Sequence, residues 1–142
     1  MPKALRGGLN NPLALLNAAY FDSSECSPIL CVSTEGVDVL EIITDFHSRR
    51  GNALGGAKLR HFALGDGLAE ALDKKLEQAA QGGEWVVLEN LHLVPDWFPN
   101  FEALLLDWAK PETHYRFRVW ATAEPGYTFP PSLLEKCVKI SL

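Results

Sequence analysis

Five short apolar runs lie between turn-forming residues, which is the pattern of strands in a largely parallel sheet. They cover residues 28–33, 59–64, 85–88, 116–122 and 137–142. The second run alternates polar with apolar residues, which predicts a strand at the edge of the sheet. The four consecutive apolar residues of the third run predict a strand at its centre.

The segments between these runs carry apolar residues at helical spacing. They predict helices over residues 12–22, 38–50, 68–82 and 99–108, and a short helical turn over 131–134. Asn11 and Pro12 form an N-terminal signal for the first helix, and Asp38 with Glu41 resembles a capping box for the second. Gly82 and Gly83 are placed to end the third helix.

Strands that alternate with helices predict an α/β fold, a three-layer α/β/α sandwich with a mainly parallel five-stranded sheet, because such strands need right-handed crossovers. A chain of 142 residues has room for one domain. We interpret residues 1–26 as an N-terminal tail with a short helix and residues 27–142 as a single α/β subdomain.

Composition narrows the classes of function. The chain is 47% hydrophobic and 22% charged with a net charge of −5, which argues against a nucleic-acid or acidic-membrane partner. The cysteines Cys26, Cys31 and Cys137 show no paired spacing, which predicts a reduced, intracellular chain. The apolar run at residues 13–20 is too short to span a membrane.

The loop after the first predicted strand is where a phosphate-binding loop would have to lie. It reads Ser-Thr-Glu-Gly-Val-Asp over residues 33–38, with one glycine, no lysine and the carboxylates of Glu35 and Asp38. Like charges a few ångströms apart repel by about 1 to 4 kcal/mol at surface-like dielectrics. The loop is therefore predicted not to bind nucleotide and to be a capped turn from strand to helix.

A polar pair, Glu89-Asn90, ends the third predicted strand. Such a pair could hold a metal-binding carboxylate beside a group that orients water, but an asparagine cannot act as a base. Without a lysine or phosphate-binding loop opposite, the pair is better explained by hydrogen bonding at a strand end. The glycines that flank Asp66 could hold an anion, although a turn is the simpler interpretation.

Other chemistry-bearing residues show no pattern of a site. The four histidines, at positions 47, 61, 92 and 114, have no metal-ligand spacing, and we interpret them as structural or surface residues. Ser33, Ser132 and Ser141 lack the Gly-x-Ser-x-Gly elbow of α/β-hydrolases. The four tryptophans are interpreted as core and domain-contact residues.

From about residue 27 to the end, the order of motifs resembles the dynein heavy chain, specifically the large α/β subdomain of its sixth AAA+ module. The specific part is Trp-Val-Val-Leu-Glu-Asn-Leu-His-Leu at residues 85–93. The family has Trp-Val-Val-Leu-Gln-Asn-x-His-Leu there. Weaker matches are Leu-Gly-Asp-Gly at 64–67, Trp-Phe-Pro at 97–99, Phe-Arg-Val-Trp-Ala-Thr-Ala-Glu-Pro at 117–125 and Phe-Pro at 129–130.

The resemblance implies a P-loop NTPase fold of the AAA+ type with a degenerate nucleotide site. The matching positions are Thr34, Glu35, Gly36, Val37, Asp38, Glu89, Asn90 and Thr122. Glu89 falls at the magnesium-site aspartate of active modules, Asn90 at their catalytic glutamate and Thr122 at their polar nucleotide sensor. Three residues depart from the family: Glu35 replaces a proline, and Asp66 and Glu89 replace glutamines. No catalytic residue, metal or cofactor is expected in this chain.

The function implied by the resemblance is that of a structural, non-hydrolysing module in an ATP-driven microtubule motor. ATP and magnesium would act in other modules of the parent. Its partners would be neighbouring AAA+ modules, a helical lid after Leu142, and dynein subunits and microtubules through the parent, with no nucleic acid and no membrane. The expected location is the cytoplasmic cytoskeleton or the axoneme of a cilium or flagellum, and the residues leave this choice open.

Two alternatives remain. One is a small α/β nucleotide-binding protein or hydrolase that uses Glu89 and the loop after the first strand. The other is a stand-alone adaptor with the same fold.

Overall fold

A computed structural model gives the fold and describes residues 11–34, 36–50, 58–65 and 69–142. The strands are β1 (Ile29–Val32), β2 (Leu59–Ala63), β3 (Trp85–Glu89), β4 (Arg118–Ala123) and β5 (Val138–Ser141). The helices are α1 (Pro12–Asp22), α2 (Val39–Arg50), α3 (Ala69–Gly82), α4 (Phe98–Asp107) and α5 (Pro131–Leu134). Two 3₁₀ turns, Leu91–Leu93 and Pro95–Trp97, connect β3 to α4. The predicted alternation of strands and helices is confirmed.

The five strands form one sheet in the order β2-β3-β4-β1-β5, and every neighbouring pair is parallel. The prediction that β2 lies at an edge is confirmed. The prediction that β3 is the central strand is wrong, because β4 occupies the middle and β3 lies between β4 and β2. An unbroken apolar run shows that a strand is covered on both faces, but not how many strands lie to each side of it.

The side chains of β3 divide between two faces of the sheet, because successive residues of a strand point in opposite directions. Val86 and Leu88 enter a cluster with residues of α3, α4 and α5. Trp85 and Val87 enter a second cluster with residues of α1 and α2. Helices therefore cover both faces of the sheet, as the predicted three-layer α/β/α sandwich requires.

An aromatic group fills the layer between the sheet and helices α1 and α2. The rings of Trp85 and Trp120 lie 5.4 Å apart between centroids, and Tyr20 and Phe46 lie 5.3 and 5.8 Å from Trp85. Trp85 is 1% exposed and Trp120 is fully buried. Rings of this size contribute large buried areas, so this group is a principal source of stability for the fold.

Helix α1 has the predicted N-terminal cap and is packed into the same core. The side chain of Asn11 accepts a hydrogen bond from the amide of Ala14 at 3.2 Å. The hydroxyl of Ser23 donates to the carbonyl of Tyr20 at 2.6 Å and closes the last turn. None of the helices in the described part of the chain is long and apolar enough to cross a membrane.

Gly83 brings the chain from α3 directly into β3. Its φ of +72° lies in the left-handed region, which favours glycine, and the amide of Glu84 donates to the carbonyl of Ala79 at 3.0 Å. A Cβ at this position would lie 2.5 Å from Nδ1 of His114. The predicted helix end at Gly82 and Gly83 is confirmed, and the close ring of His114 adds a second reason for glycine at position 83.

Candidate functional site

A cleft of about 550 Å³ opens where β1, β3 and β4 end, at the carboxyl edge of the sheet. Parallel α/β sheets place their ligand sites at this edge. The predicted site residues Thr34, Gly36, Val37, Asp38, Glu89, Asn90 and Thr122 all line the cleft, together with Ser33, Val39, Leu40, Ala123, Glu124 and Pro125. Glu35, the remaining predicted position, lies outside the described residues.

The loop after β1 forms a tight turn into α2. The amide of Ser33 donates to the carbonyl of Ala123 at 3.2 Å, and the amide of Val37 donates to the carbonyl of Thr34 at 3.3 Å. Gly36 has a φ of +91°, so this turn uses the conformational freedom of glycine. The loop therefore bends back on itself before the helix begins.

Asp38 caps helix α2, as the sequence predicts. Its Oδ1 accepts a hydrogen bond from the amide of Glu41 at 3.1 Å, and its carbonyl accepts from Ile42 at 3.2 Å. In a phosphate-binding loop, the amides at a helix N-terminus bind the phosphate. Here an amide in the first turn already has a carboxylate of the chain itself as its acceptor.

Glu89 pairs with a neighbour on the edge strand. Its Oε2 lies 3.0 Å from Nδ1 of His61, and its carbonyl accepts from the amide of Leu64 at 3.0 Å. His61 is opposite Val87 in the register of β2 and β3, so His61 and Glu89 project from the same face of the sheet. The sequence does not reveal this pair, because it depends on the register of two strands.

Thr122 holds the turn that follows β3. Its Oγ1 accepts a hydrogen bond from the amide of Asn90 at 2.9 Å. Asn90 has φ and ψ of 64° and 52°, and it is the one non-glycine residue with positive φ in the described part of the chain. Thr122 is 8% exposed and is the sole buried polar residue among those described. Its hydroxyl oxygen thus has a structural partner at the predicted sensor position.

His92 connects the loops that follow β3 and β4. Its Nδ1 accepts a hydrogen bond from the amide of Glu124 at 3.4 Å, and its Nε2 lies 3.8 Å from Oε2 of Glu124. The side chain of His92 is 10% exposed, whereas that of Glu124 is 76% exposed. Sequence reasoning assigned His92 a structural or surface role and did not identify Glu124 as a cleft residue.

The charge in the cleft is negative. Asp38, Glu89 and Glu124 line it, and its described lining includes no lysine or arginine. A nucleoside triphosphate needs cations or free amides around its phosphates. The described residues also contain no group of three or more side chains that could hold a metal ion. This donor set does not fit a magnesium-bound nucleotide.

The remaining candidate residues are accounted for in other ways. Ser132 donates to Oε2 of Glu102 at 3.1 Å. All four tryptophans are buried, which confirms their interpretation as core residues. Asp66 and Gly67, which were considered as an anion site, lie outside the described residues.

The three cysteines are free thiols. Burial raises the pKa of Cys31 to about 12. The pKa of Cys137 is also raised to about 12, mainly by burial and further by the charge of Glu102. These two thiols therefore stay protonated near neutral pH, so neither has the thiolate character of a reactive cysteine.

Comparison with known families agrees with the geometry. The family model described as "Dynein heavy chain region D6 P-loop domain" matches residues 24–141. The chain belongs to the dynein heavy chain family. The resemblance stated from the motifs is thereby confirmed, together with an α/β fold of the P-loop type.

Curated dynein heavy chains show the same relationship. Human dynein axonemal heavy chain 3 is 34% identical over 127 residues, which cover 89% of this chain and 3% of the relative. The dynein-1-alpha heavy chain of the flagellar inner arm I1 complex from Chlamydomonas reinhardtii is 33% identical over 132 residues, covering 91% and 3%. Human dynein axonemal heavy chain 10 is 32% identical over 129 residues, again covering 91% and 3%. The chain thus spans about 3% of the length of these relatives.

Proposed function

We propose that this chain acts as a structural, non-hydrolysing AAA+ module of a dynein heavy chain. The observation that carries the proposal is the cleft, which keeps the position of a nucleotide site but presents Asp38, Glu89 and Glu124 with no basic side chain among its described lining residues. The degenerate positions are Thr34, Glu35, Gly36, Val37, Asp38, Glu89, Asn90 and Thr122. None of them acts in catalysis, and the module binds no ATP and no magnesium.

The structural role follows from how the carboxyl edge is held together. In a nucleotide-dependent module the ligand would connect the loops at this edge. Here three internal contacts do so: Glu89 with His61, Asn90 with Thr122, and His92 with Glu124. The edge is therefore fixed without a ligand, and the module can transmit movements of its neighbours as a rigid wedge.

The relatives supply the context of the proposal. Their names place them as axonemal and flagellar inner-arm heavy chains. We place the parent of this module in the axoneme of a cilium or flagellum, as an ATP-driven microtubule motor. Its direct partners are neighbouring AAA+ modules and a helical lid of the same heavy chain, and dynein subunits and microtubules are reached through the parent. Neither nucleic acid nor a membrane is a partner.

A competing function is a small nucleotide-binding protein or hydrolase. The volume of the cleft supports it, because about 550 Å³ lies in the range of roughly 300 to 1,000 Å³ typical of small-molecule sites. The carboxylates oppose it, since each one near a phosphate adds repulsion of about 4 kcal/mol at 4 Å and an effective dielectric of 20. Electrostatics therefore favours the structural role.

Isothermal titration calorimetry separates the two functions. ATP with magnesium, titrated into the purified chain, should release no binding heat, and a phosphate-release assay should stay at the background rate. The double variant Asp38→Asn and Glu89→Gln is the matched control for the repulsion by the carboxylates, because it removes two of these charges with little change in the shape of the cleft. Micromolar, magnesium-dependent binding by the unchanged chain, or hydrolysis that Glu89→Ala abolishes, would support the enzyme instead.

A further inference from the structure

The cleft at the carboxyl edge is a concave, acidic surface. Three carboxylates line it, those of Asp38, Glu89 and Glu124. Its lining comes from three stretches of the chain that contain no lysine or arginine, residues 33–48, 86–109 and 119–135. Val37 and Leu40, two half-buried apolar residues, lie beside the carboxylates. A ligand that complements this cleft therefore needs positive charge together with apolar groups.

The contacts of these carboxylates leave them available to a cation. Asp38 uses Oδ1 as the cap of α2. The carboxylates of Glu89 and Glu124 have histidines as their neighbours, at 3.0 and 3.8 Å. Among the described residues, none of the three is paired with a lysine or arginine. The carboxylates that do have such a partner lie outside the cleft, at Asp45, Glu84, Glu102 and Asp107.

The first ten residues of the chain carry the complementary charge. They lie outside the described residues, and their sequence is Met-Pro-Lys-Ala-Leu-Arg-Gly-Gly-Leu-Asn. Lys3 and Arg6 are the charged side chains of this segment, and no carboxylate side chain occurs in the chain before Asp22. Leu5 and Leu9 supply apolar groups close to the two cations in sequence. The segment thus combines both kinds of group that the cleft needs.

The point at which this segment joins the fold is within reach of the cleft. It ends at Asn11, the cap of α1, and Leu13 in the first turn of α1 packs against the same hydrophobic cluster as Val37 and Leu40. Ten extended residues span up to about 33 Å. The longest strand of the sheet has six residues, which corresponds to about 20 Å. Residues 1–10 are therefore long enough to reach the cleft from either edge of the sheet.

We propose that residues 1–10 bind in the cleft of their own chain, with Lys3 and Arg6 facing its carboxylates. A short tether gives an effective concentration in the millimolar range, so a weak contact is enough to keep the cleft occupied. The cleft then holds a cation from its own chain at the position where a nucleotide-dependent module holds an anion. The inference goes beyond the proposed function, since a structural module that binds no ATP can also have an empty cleft.

A zero-length cross-link tests the contact directly. A water-soluble carbodiimide joins a lysine amine to a carboxylate as an amide when the two groups touch, and peptide mass spectrometry identifies the joined residues. Lys3 should be joined to Asp38, Glu89 or Glu124 of the same chain. Lys74, which is exposed on α3, is the internal control and should not be joined to them. High salt should lower the yield severalfold, because it shortens the screening length from about 10 Å to about 3 Å.

Charge reversal gives a second measurement, by amide NMR of the cleft. In the double variant Lys3→Glu and Arg6→Glu, the amide signals of Asn90 and Glu124 should shift from their positions in the unchanged chain. The matched control is Lys74→Glu with Lys139→Glu, which reverses two exposed charges outside the cleft and should leave these signals in place. A synthetic peptide of residues 1–10, added to the first variant, should move the signals back. Circular dichroism checks that both variants are folded.

The results separate an occupied cleft from an empty one. Absence of a cross-link between Lys3 and the cleft would overturn the proposal, as would cleft signals that respond equally to both double variants. Cross-links found only in dimers would also overturn it, because they would place the segment in the cleft of a second copy. None of these outcomes alters the calorimetric test with ATP, so a failure of this contact is distinguishable from a failure of the proposed function.

Discussion

The interior of the sheet and the cleft at its carboxyl edge differ in what they retain of a nucleotide-binding module. In the interior, the strands keep their order, their parallel register and a core packed on both faces. The cleft lies at the carboxyl edge of the sheet, and its described lining carries the carboxylates of Asp38, Glu89 and Glu124 without a lysine or arginine. Burial of apolar side chains stabilises the frame whether or not a ligand is present, so the frame does not depend on the charges at the cleft.

The two regions also satisfy their polar groups in different ways. In the interior, backbone groups pair between strands. At the cleft, polar side chains carry the contacts: Asp38 accepts from Glu41, Thr122 accepts from Asn90, and Glu89 pairs with His61. If this division is right, lesions in the interior should cost much stability, and lesions at the cleft should cost less and reveal no nucleotide binding.

The largest effect is expected for Trp120→Ala, because Trp120 is fully buried and its ring lies 5.4 Å from that of Trp85 and 5.8 Å from that of Phe46. Loss of the ring should lower the free energy of unfolding by about 3 to 5 kcal/mol. Urea denaturation followed by circular dichroism measures it. The exposed substitution Leu106→Ala is the control, with an expected change of less than about 0.5 kcal/mol. Similar losses of unfolding free energy for Trp120→Ala and Leu106→Ala would show that the aromatic group is not a principal source of stability.

An intermediate effect is expected for Thr122→Val. The substitution keeps the shape but leaves the amide of Asn90 without its acceptor, which should cost about 1 to 3 kcal/mol. Faster hydrogen exchange at the Asn90 amide would identify the cause. Thr44→Val, at an exposed position of α2, is the matched control. Equal stability of the two variants would show that the Thr122 hydroxyl does not hold the turn.

The smallest effect is expected for Asp38→Ala, which removes the cap of α2. The loss should be about 1 kcal/mol, and Asp38→Asn should recover most of it, because asparagine caps helices about as well as aspartate. Neither variant should gain ATP binding in calorimetry, since Glu89 and Glu124 remain in the cleft. Nucleotide binding by Asp38→Asn would show that the charge of Asp38 alone had prevented ATP from binding.

Much of the frame is predictable from the sequence. The apolar runs locate the five strands, and the signals at Asn11, Asp38 and Gly83 locate helix ends, because these features are local. The sequence placed β3 at the centre of the sheet, but β4 is the central strand. This order is not predictable from local signals, since it depends on the side of the sheet to which each connection leads. Strand boundaries also shift slightly, as β4 begins at Arg118 rather than at residue 116.

The cleft is predictable only in part. The ends of parallel strands must meet at one edge, so Glu89, Asn90, Thr122 and the loop after β1 can be grouped from the sequence. The partners of these residues cannot. His61 reaches Glu89 through the register of two strands, and His92 reaches Glu124 across two loops. Such contacts depend on three-dimensional placement and leave no periodic signal.

Helix α1 has a consequence for where this folding unit begins. The match to the family starts at residue 24, whereas α1 covers Pro12–Asp22 and contributes Leu16 and Tyr20 to the core. A shorter version of the chain, trimmed to the family match, would leave the Trp85 ring without its contact with Tyr20. The border of the family match and the border of the packed core therefore differ here by one helix.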